Sequence, residues 1–320
     1  MSKKLVVLFH NEGQLANQLW LFFNLIAYAL EKKYDIDIWC FYQYSKFFET
    51  PFPKNKLIKF LFYKTFPTFV FKNKNLFRIV RRLYRLIYKF LIILPIKILN
   101  NNKIIDSSLE NIYLDDEYRK PEVIKKFEQD PNFNTIYTLE WNFLAFSLLR
   151  KHREQILEYF KPKDNFLNNA ENNISKLRQN FDYLIGLHLR FKEPGDGEII
   201  DENFLWYVNN DNLEYIKELI DIFMKRKNLN QLKVGIFITS NAKNLNLEPF
   251  KGLNVFYNKR HFIEDLFSLA KCDVILGCKS SFCTLASYIG LKPIYFFTTR
   301  KDNFLNYLES NSSFKIWREI

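Results

Sequence analysis

Apolar residues fall into two kinds of pattern along this chain. Short runs bounded by polar residues have the length and composition of buried parallel strands: Leu5–Phe9, Ile36–Phe41, Tyr183–Leu189, Val234–Thr239, Val274–Gly277 and Pro293–Phe297. Elsewhere apolar residues recur every three or four positions, as on one face of a helix. Leu15, Leu19, Phe22, Ile26 and Leu30 predict a helix from Leu15 to about Lys33. Similar spacing predicts helices over about Asn212–Lys225, Glu264–Ala270 and Phe282–Ile289, and a longer amphipathic helix from Thr138 to Phe160, closed by Lys161-Pro162.

Strands alternating with helices imply an α/β protein with parallel sheets. Leu5 to Phe41 reads as one strand–helix–strand unit whose crossover is expected to be right-handed. From Tyr183 onward the alternation repeats as a second doubly wound sheet. The reading is therefore two domains, 1–165 and 175–320, with polar Lys163–Asn173 as the linker between them.

In such sheets the carboxyl ends of the strands open into the ligand crevice, so the residues that close each run are the first candidates for chemistry. The run at 181–192 ends in His188, Leu189 and Arg190. Arginine stays charged and grips phosphate with two parallel N–H donors. Cys278-Lys279-Ser280-Ser281-Phe282 joins a strand to a helix; serine hydroxyls and free N–H groups at a helix start make an oxyanion site. Ser240-Asn241 closes a neighbouring strand and is placed to meet the base or ribose of a nucleotide. The loop after the first strand puts Glu12, Gly13 and Asn17 in the same kind of crevice. Each feature taken singly also has a structural reading: a surface arginine, a satisfied core histidine, a plain helix cap or solvent-exposed polar residues. Asp35-x-Asp37 precedes or lies within a strand, where a carboxylate pair is poorly placed to hold a metal on a diphosphate.

Composition narrows the picture. Hydrophobic content of 48% and charged content of 26% over 320 residues exclude wholesale disorder. The net charge of +12 resides in one segment: Thr50 to Ile105 holds 13 Lys/Arg and no Asp/Glu, leaving 34 basic and 35 acidic residues elsewhere. A nucleic-acid-binding body is not expected on that distribution. Within a basic insertion at about 54–100, a helical projection from Asn75 gathers Arg78, Arg81, Arg82, Arg85 and Lys89 into one stripe, with Leu76, Val80, Leu83, Ile87, Phe90 and Leu94 opposite. That is the pattern of a helix lying on an anionic membrane surface, or of one packed on the protein with a solvated charged face. Phe90–Ile96 is too short to span a bilayer and Leu5–Phe9 too short for a signal peptide, so the expected location is cytoplasmic, peripheral on the inner face of the plasma membrane. Cys40, Cys272, Cys278 and Cys283 match no zinc spacing and are expected as buried free thiols.

Taken in order, Gly13-x-Leu15-x-Asn17-Gln18, His188-x-Arg190, Glu264-Asp265-Leu266, Ser280-Ser281-Phe282 and Ala286-x-x-x-Gly290 resemble the alpha-1,2-fucosyltransferases, within the wider alpha-1,2, alpha-1,6 and protein O-fucosyltransferase group. The resemblance runs across most of the chain apart from roughly Tyr42 to Lys120. It implies a GT-B-like fold, two Rossmann-like doubly wound domains facing a cleft. It also implies an inverting, metal-independent glycosyltransferase with no cofactor, using GDP-fucose bound by the second domain. Residue by residue, it assigns Arg190 to the β-phosphate, His188 to the nucleotide or its loop, and Ser280, Ser281 and Phe282 to the diphosphate wall. The chemistry further asks for a carboxylate to take the acceptor proton; Glu12 is the candidate, with Glu193, Asp196 and Glu198 as others. Phe191 stands where alpha-1,2 enzymes carry a second arginine, and Asn241 where the group often has aspartate. The expected partners are a nucleotide sugar and a glycan acceptor, in a bacterial surface polysaccharide or lipid-linked glycan. The alternatives are a related transferase using another nucleotide sugar, and a non-enzymatic protein with a degenerate nucleotide pocket and a basic membrane- or RNA-binding arm.

Overall fold

The computed structural model describes residues 3–8, 14–41, 44–49, 74–100, 103–105, 111–139, 142–193, 201–242 and 244–310. By its internal contacts the chain divides into two compact units, Met1–Pro162 and Lys163–Ile320.

In the first unit the chain order is β1 (Lys4–Val7), α1 (Leu15–Lys32), β2 (Asp35–Ile38), α2 (Lys74–Tyr88), a π-helical turn (Lys89–Ile93), α3 (Leu94–Leu99), β3 (Ile104–Ile105), β4 (Ile112–Tyr113), α4 (Glu122–Gln129), β5 (Thr135–Thr138), β6 (Phe143–Leu144), α5 (Phe146–Lys151) and α6 (Arg153–Tyr159). Four strands form a parallel sheet in the order β2-β1-β5-β3, and β4 pairs with β6. The first strand–helix–strand unit forms as its spacing predicts, with α1 buried along nearly its whole length. Asp37 lies inside β2, where its carboxylate pairs with Lys4 at 3.2 Å.

The helix expected over Thr138–Phe160 does not form as one piece. Its start is claimed by β5, which sits between β1 and β3 and exchanges ladder hydrogen bonds with both. The chain then passes through β6, where the Ala145 N–H donates to the Asn24 side chain at 2.7 Å, and turns helical only at Phe146. Pairing with distant strands outweighs a locally helical spacing.

The second unit comprises α7 (Asp164–Arg178), β7 (Tyr183–Leu189), α8 (Leu213–Arg226), β8 (Val234–Ser240), β9 (Val255–Phe256), α9 (Phe262–Ala270), β10 (Val274–Gly277), α10 (Ser281–Gly290), β11 (Ile294–Phe296) and α11 (Lys301–Ser310). Its five strands are all parallel, in the order β11-β10-β7-β8-β9. Side chains alternate across the sheet, and β7 uses both faces. Ile185, Leu187 and Leu189 enter a buried cluster with Leu213, Ile216 and Ile220 of α8 and Phe304 of α11. On the opposite face Gly186 meets Leu269 of α9, and His188 stacks on Phe282 of α10. Helices on both faces make this sheet doubly wound.

The stretch read as a polar linker, Lys163–Asn173, is instead the start of α7. Phe166, Ala170 and Ile174 recur every four residues and give this Asn-rich helix one apolar stripe. That stripe docks on α9: Phe166 stacks on His261 at 4.6 Å, and the Asn169 amide donates to Glu264 at 2.7 Å. Helices α9 and α10 approach closely because Gly290 lacks a side chain; a Cβ there would lie 1.9 Å from the Ala270 carbonyl oxygen. Cys40, Cys272, Cys278 and Cys283 are buried free thiols.

Candidate functional site

The site follows from the order of the second sheet. The chain lays down β7, then β8 and β9 to one side, then crosses to β10 and β11 on the other. Strand order therefore reverses between β7 and β10, and in an open α/β sheet the crevice outside the carboxyl ends of two such strands is where ligands bind. The residues at that crevice are Arg190, just after β7, and Cys278 to Phe282, just after β10.

These two groups are held side by side. His188 is in register with Gly277 of β10 and Thr239 of β8. A Cβ on Gly277 would meet the His188 carbonyl oxygen at 2.8 Å and Cys283 Sγ at 2.9 Å, so glycine is what lets β10 and the start of α10 close on β7. The His188 ring stacks on Phe282 with centroids 4.9 Å apart, and its Nδ1 is hydrogen-bonded to the Thr239 hydroxyl at 2.9 Å. Burial, reinforced by the positive charge of Arg190, pulls the His188 pKa down to about 3, so the imidazole is neutral at physiological pH. Burial likewise pushes the Cys278 thiol up to about 12 despite the opposing Arg190 charge. Arg190 thus exerts its field on His188 at the end of β7 and on Cys278 and Cys283 at the β10–α10 junction.

Ser280 caps α10: its hydroxyl accepts from the Cys283 N–H at 3.3 Å while its own side chain is almost wholly buried. Ser281 and Phe282 form the half-buried first turn, which carries no acidic residue. The positive end of the α10 dipole is therefore not offset from within the helix. A guanidinium and a helix amino end at one crevice form a site for an anion with several oxygens, such as a diphosphate.

Asn241 lies beside this site, but its amide is engaged by backbone. It accepts from the Phe191 N–H at 2.7 Å and donates to the Phe191 carbonyl at 2.8 Å. Ser240 donates to the Leu189 carbonyl at 2.8 Å. Together they tie the end of β8 to both neighbours of Arg190 and so hold that residue in place at the crevice. Asn17 is half-buried in the first turn of α1, in the other unit. Glu12, Gly13, Asp196 and Glu198 lie outside the described residues, and Glu193 is half-buried three residues beyond Arg190. In the Glu264-Asp265-Leu266 motif, Asp265 pairs with Arg260 at 2.9 Å; burial raises its carboxyl to about 6 against the pull of that arginine.

One set of residues escaped the sequence reading. The segment from Asp201 to Val208 returns to the same strand ends: the Lys279 N–H donates to the Leu205 carbonyl at 2.8 Å, and the Val208 N–H to the Arg190 carbonyl at 2.7 Å. It brings the Tyr207 ring under the Arg190 guanidinium, 4.8 Å from its centroid. Asp201 accepts from the Trp206 indole at 2.9 Å and pairs with Lys279 at 3.4 Å. Burial alone would raise the Asp201 carboxyl, but these donors and two backbone N–H groups outweigh it and hold it low. The available signal was the dense aromatic run Phe204-Leu205-Trp206-Tyr207, which no core periodicity required.

No family model matches the chain, and no curated protein matches it. Among solved structures it is similar to the fucosyltransferase NodZ from Bradyrhizobium, with a TM-score of 0.52 and 14% identity over 92% of this chain and 94% of that one. It is also similar to NodZ alpha-1,6-fucosyltransferase soaked with GDP-fucose, with a TM-score of 0.50, 14% identity and the same coverage of both chains. A further likeness is to POFUT1 in complex with GDP, with a TM-score of 0.49, 14% identity and coverage of 92% of this chain and 99% of that one. At such identity the likeness is one of fold: α/β and GT-B-like, with two Rossmann-like parallel sheets.

Proposed function

We propose that the protein is an inverting fucosyltransferase that takes GDP-fucose as donor and a hydroxyl of a glycan as acceptor. One observation carries the reading: Arg190 and the Ser280-capped start of α10 stand together at the strand-order reversal of the second sheet. The GT-B-like fold shared with NodZ, a fucosyltransferase soaked with GDP-fucose in one structure, supports the identity of the donor.

In this proposal the diphosphate of the donor lies between the Arg190 guanidinium and the first turn of α10. The acceptor oxygen attacks C1 of the fucosyl group from the side opposite the diphosphate. As the new C–O bond forms, the bond from C1 to the β-phosphate oxygen breaks, its electron pair passes to GDP, and configuration at C1 inverts. Arg190 and the α10 dipole meet the charge that grows on the leaving phosphate, a task fixed donors perform without reorganising. Neutral His188 does not compete with the phosphate for Arg190; it braces Phe282 and, through Thr239, the neighbouring strand. The acceptor proton goes to a carboxylate, for which Glu12 is the candidate. We further propose an alpha-1,2 linkage on a bacterial surface polysaccharide or lipid-linked glycan, made at the cytoplasmic side of a membrane.

A panel of GDP- and UDP-sugars tests the donor. Ligand that binds only the native state raises its melting temperature, by an amount equivalent to roughly 2.7 kcal/mol at a hundred times Kd. GDP and GDP-fucose are expected to raise it and UDP-sugars not. A shift with UDP-sugars alone would replace the donor, and no shift with any nucleotide would leave only the non-enzymatic alternative.

A further inference from the structure

The basic segment of the first unit is not accounted for by sugar-nucleotide chemistry. Its helical run, α2 through α3, is seated on the unit by Tyr88, Ile92 and Ile93, all buried, with Arg85 half-buried. The other side is apolar and open. Ile79, Leu83, Leu86, Phe90, Leu94 and Ile98 are each between 45% and 72% exposed. They recur every three or four residues. A four-residue step in an α-helix advances about 40° round the axis, and the wider π turn at Lys89–Ile93 takes part of that advance back. The stripe therefore stays on one side. Elsewhere among the described residues, exposed large apolar side chains occur singly, at Leu30, Tyr118, Leu232 and Leu291.

Of the two expected alternatives, a helix on an anionic membrane surface or one packed on the protein with a solvated charged face, the arrangement departs from the second. Leu76 and Val80 are half-buried, but Leu83, Ile87, Phe90 and Leu94 of the aliphatic side point outward. Of the basic stripe, Arg82 and Lys89 are exposed alongside them, and the side chains of Arg78 and Arg81 lie outside the described residues.

We infer that this helical run docks the protein on a bilayer surface containing anionic lipid. Leu83, Leu86 and Phe90 enter the headgroup–acyl boundary, and Arg82 and Lys89 meet lipid phosphates at its edge. Two observations select this occupant. Between Thr50 and Ile105 stand 13 cationic and no acidic residues, so a second copy seated on this face would set like charges together with no counter-charge. The apolar stripe is continuous, flanked by exposed cations, and follows one helix for about 29 Å, and no helix among the described residues is long and apolar enough to cross a membrane. The run therefore lies in the interface plane. This inference is independent of the donor.

The test is co-sedimentation of the full chain with vesicles of phosphatidylcholine alone and of phosphatidylcholine mixed with phosphatidylglycerol. The protein is expected to bind the mixed vesicles, less so as salt rises, and to bind the neutral ones weakly. The double change Leu83→Glu and Phe90→Glu should abolish binding while leaving the melting temperature and its shift with GDP unchanged, because both side chains are exposed. Changing Arg82→Gln and Lys89→Gln together should lower partitioning roughly 30-fold, from about a fivefold loss per cation. Absence of wild-type binding, equal binding to neutral vesicles, or full binding by the Leu83/Phe90 variant each overturns the inference. So does a wild-type dimer in lipid-free solution that the Leu83/Phe90 variant splits, which would assign the face to self-association.

Discussion

His188 couples the site to stability through its proton. Its ring is 8% exposed, stacked on Phe282 and bonded to Thr239, and the Arg190 charge is close. Burial first and Arg190 second bring its folded-state pKa from 6.5 to about 3. The sign follows from which state binds the proton. Between about pH 6.5 and 3 the unfolded chain takes up a proton that the folded chain refuses, so the stability due to a neutral His188 is complete above pH 6.5 and is lost as pH falls. At pH 5 that loss is about 2 kcal/mol, growing by about 1.4 kcal/mol for each further unit until the folded pKa is reached. His188→Gln retains a partner for the Thr239 hydroxyl but cannot titrate. Denaturant unfolding of both proteins at pH 7.5 and pH 5 isolates the effect, since every other titrating group is shared. The wild type should lose about 2 kcal/mol more than the variant between the two values, equivalent to roughly 4–8 °C in melting temperature. Equal losses, or an imidazole that titrates near pH 6.5 by NMR, would refute the buried neutral histidine and the crowding of Arg190 against it.

Two further substitutions probe the scaffold. Asn241→Asp keeps the acceptor for the Phe191 N–H but sets a second acceptor against the Phe191 carbonyl, so it should weaken GDP binding more than Asn241→Ala, by several-fold; tighter binding by the aspartate variant would mean that this side chain touches the nucleotide. Gly290→Ala forces a Cβ into the Ala270 carbonyl and should destabilise by at least about 1–3 kcal/mol, the usual cost of overpacking; an unchanged melting temperature would contradict the close approach of α9 and α10.

The second unit was legible in the sequence because its strands are buried on both faces. Such strands read as unbroken apolar runs, and the bounds of Tyr183–Leu189 and Val274–Gly277 coincide with β7 and β10. The helices between them carry strong three- and four-residue spacing. In the first unit the central strand β5 is only Thr-Ile-Tyr-Thr, polar at half its positions. What makes it a strand is its pairing with β3 and β1, whose partner residues lie 33 and 131 positions away in the chain, which no local window contains. The α7 stripe was hidden by Asn-rich composition, although Phe166, Ala170 and Ile174 carried the correct period. At the site, strand ends pointed to Arg190, His188 and Ser280. The Tyr207 ring and the Asp201–Lys279 pair arrive by a returning loop, and loop paths leave no periodic signal. Asn241 stands at a strand end, where side chains face the crevice, and its amide also clasps the backbone of Phe191, a contact that nothing in the local sequence signals.

In the proposed reaction the guanidinium of Arg190 and the α10 start act together on a departing diphosphate. The most direct measurement is the rate of GDP release from GDP-fucose, with acceptor or water, by the wild type and by Arg190→Ala at matched folding. Removing one charged donor from a developing oxyanion costs about 3 kcal/mol, so the variant should be slower by roughly 100-fold or more. Turnover of a well-folded Arg190→Ala protein at a rate close to that of the wild type would contradict it.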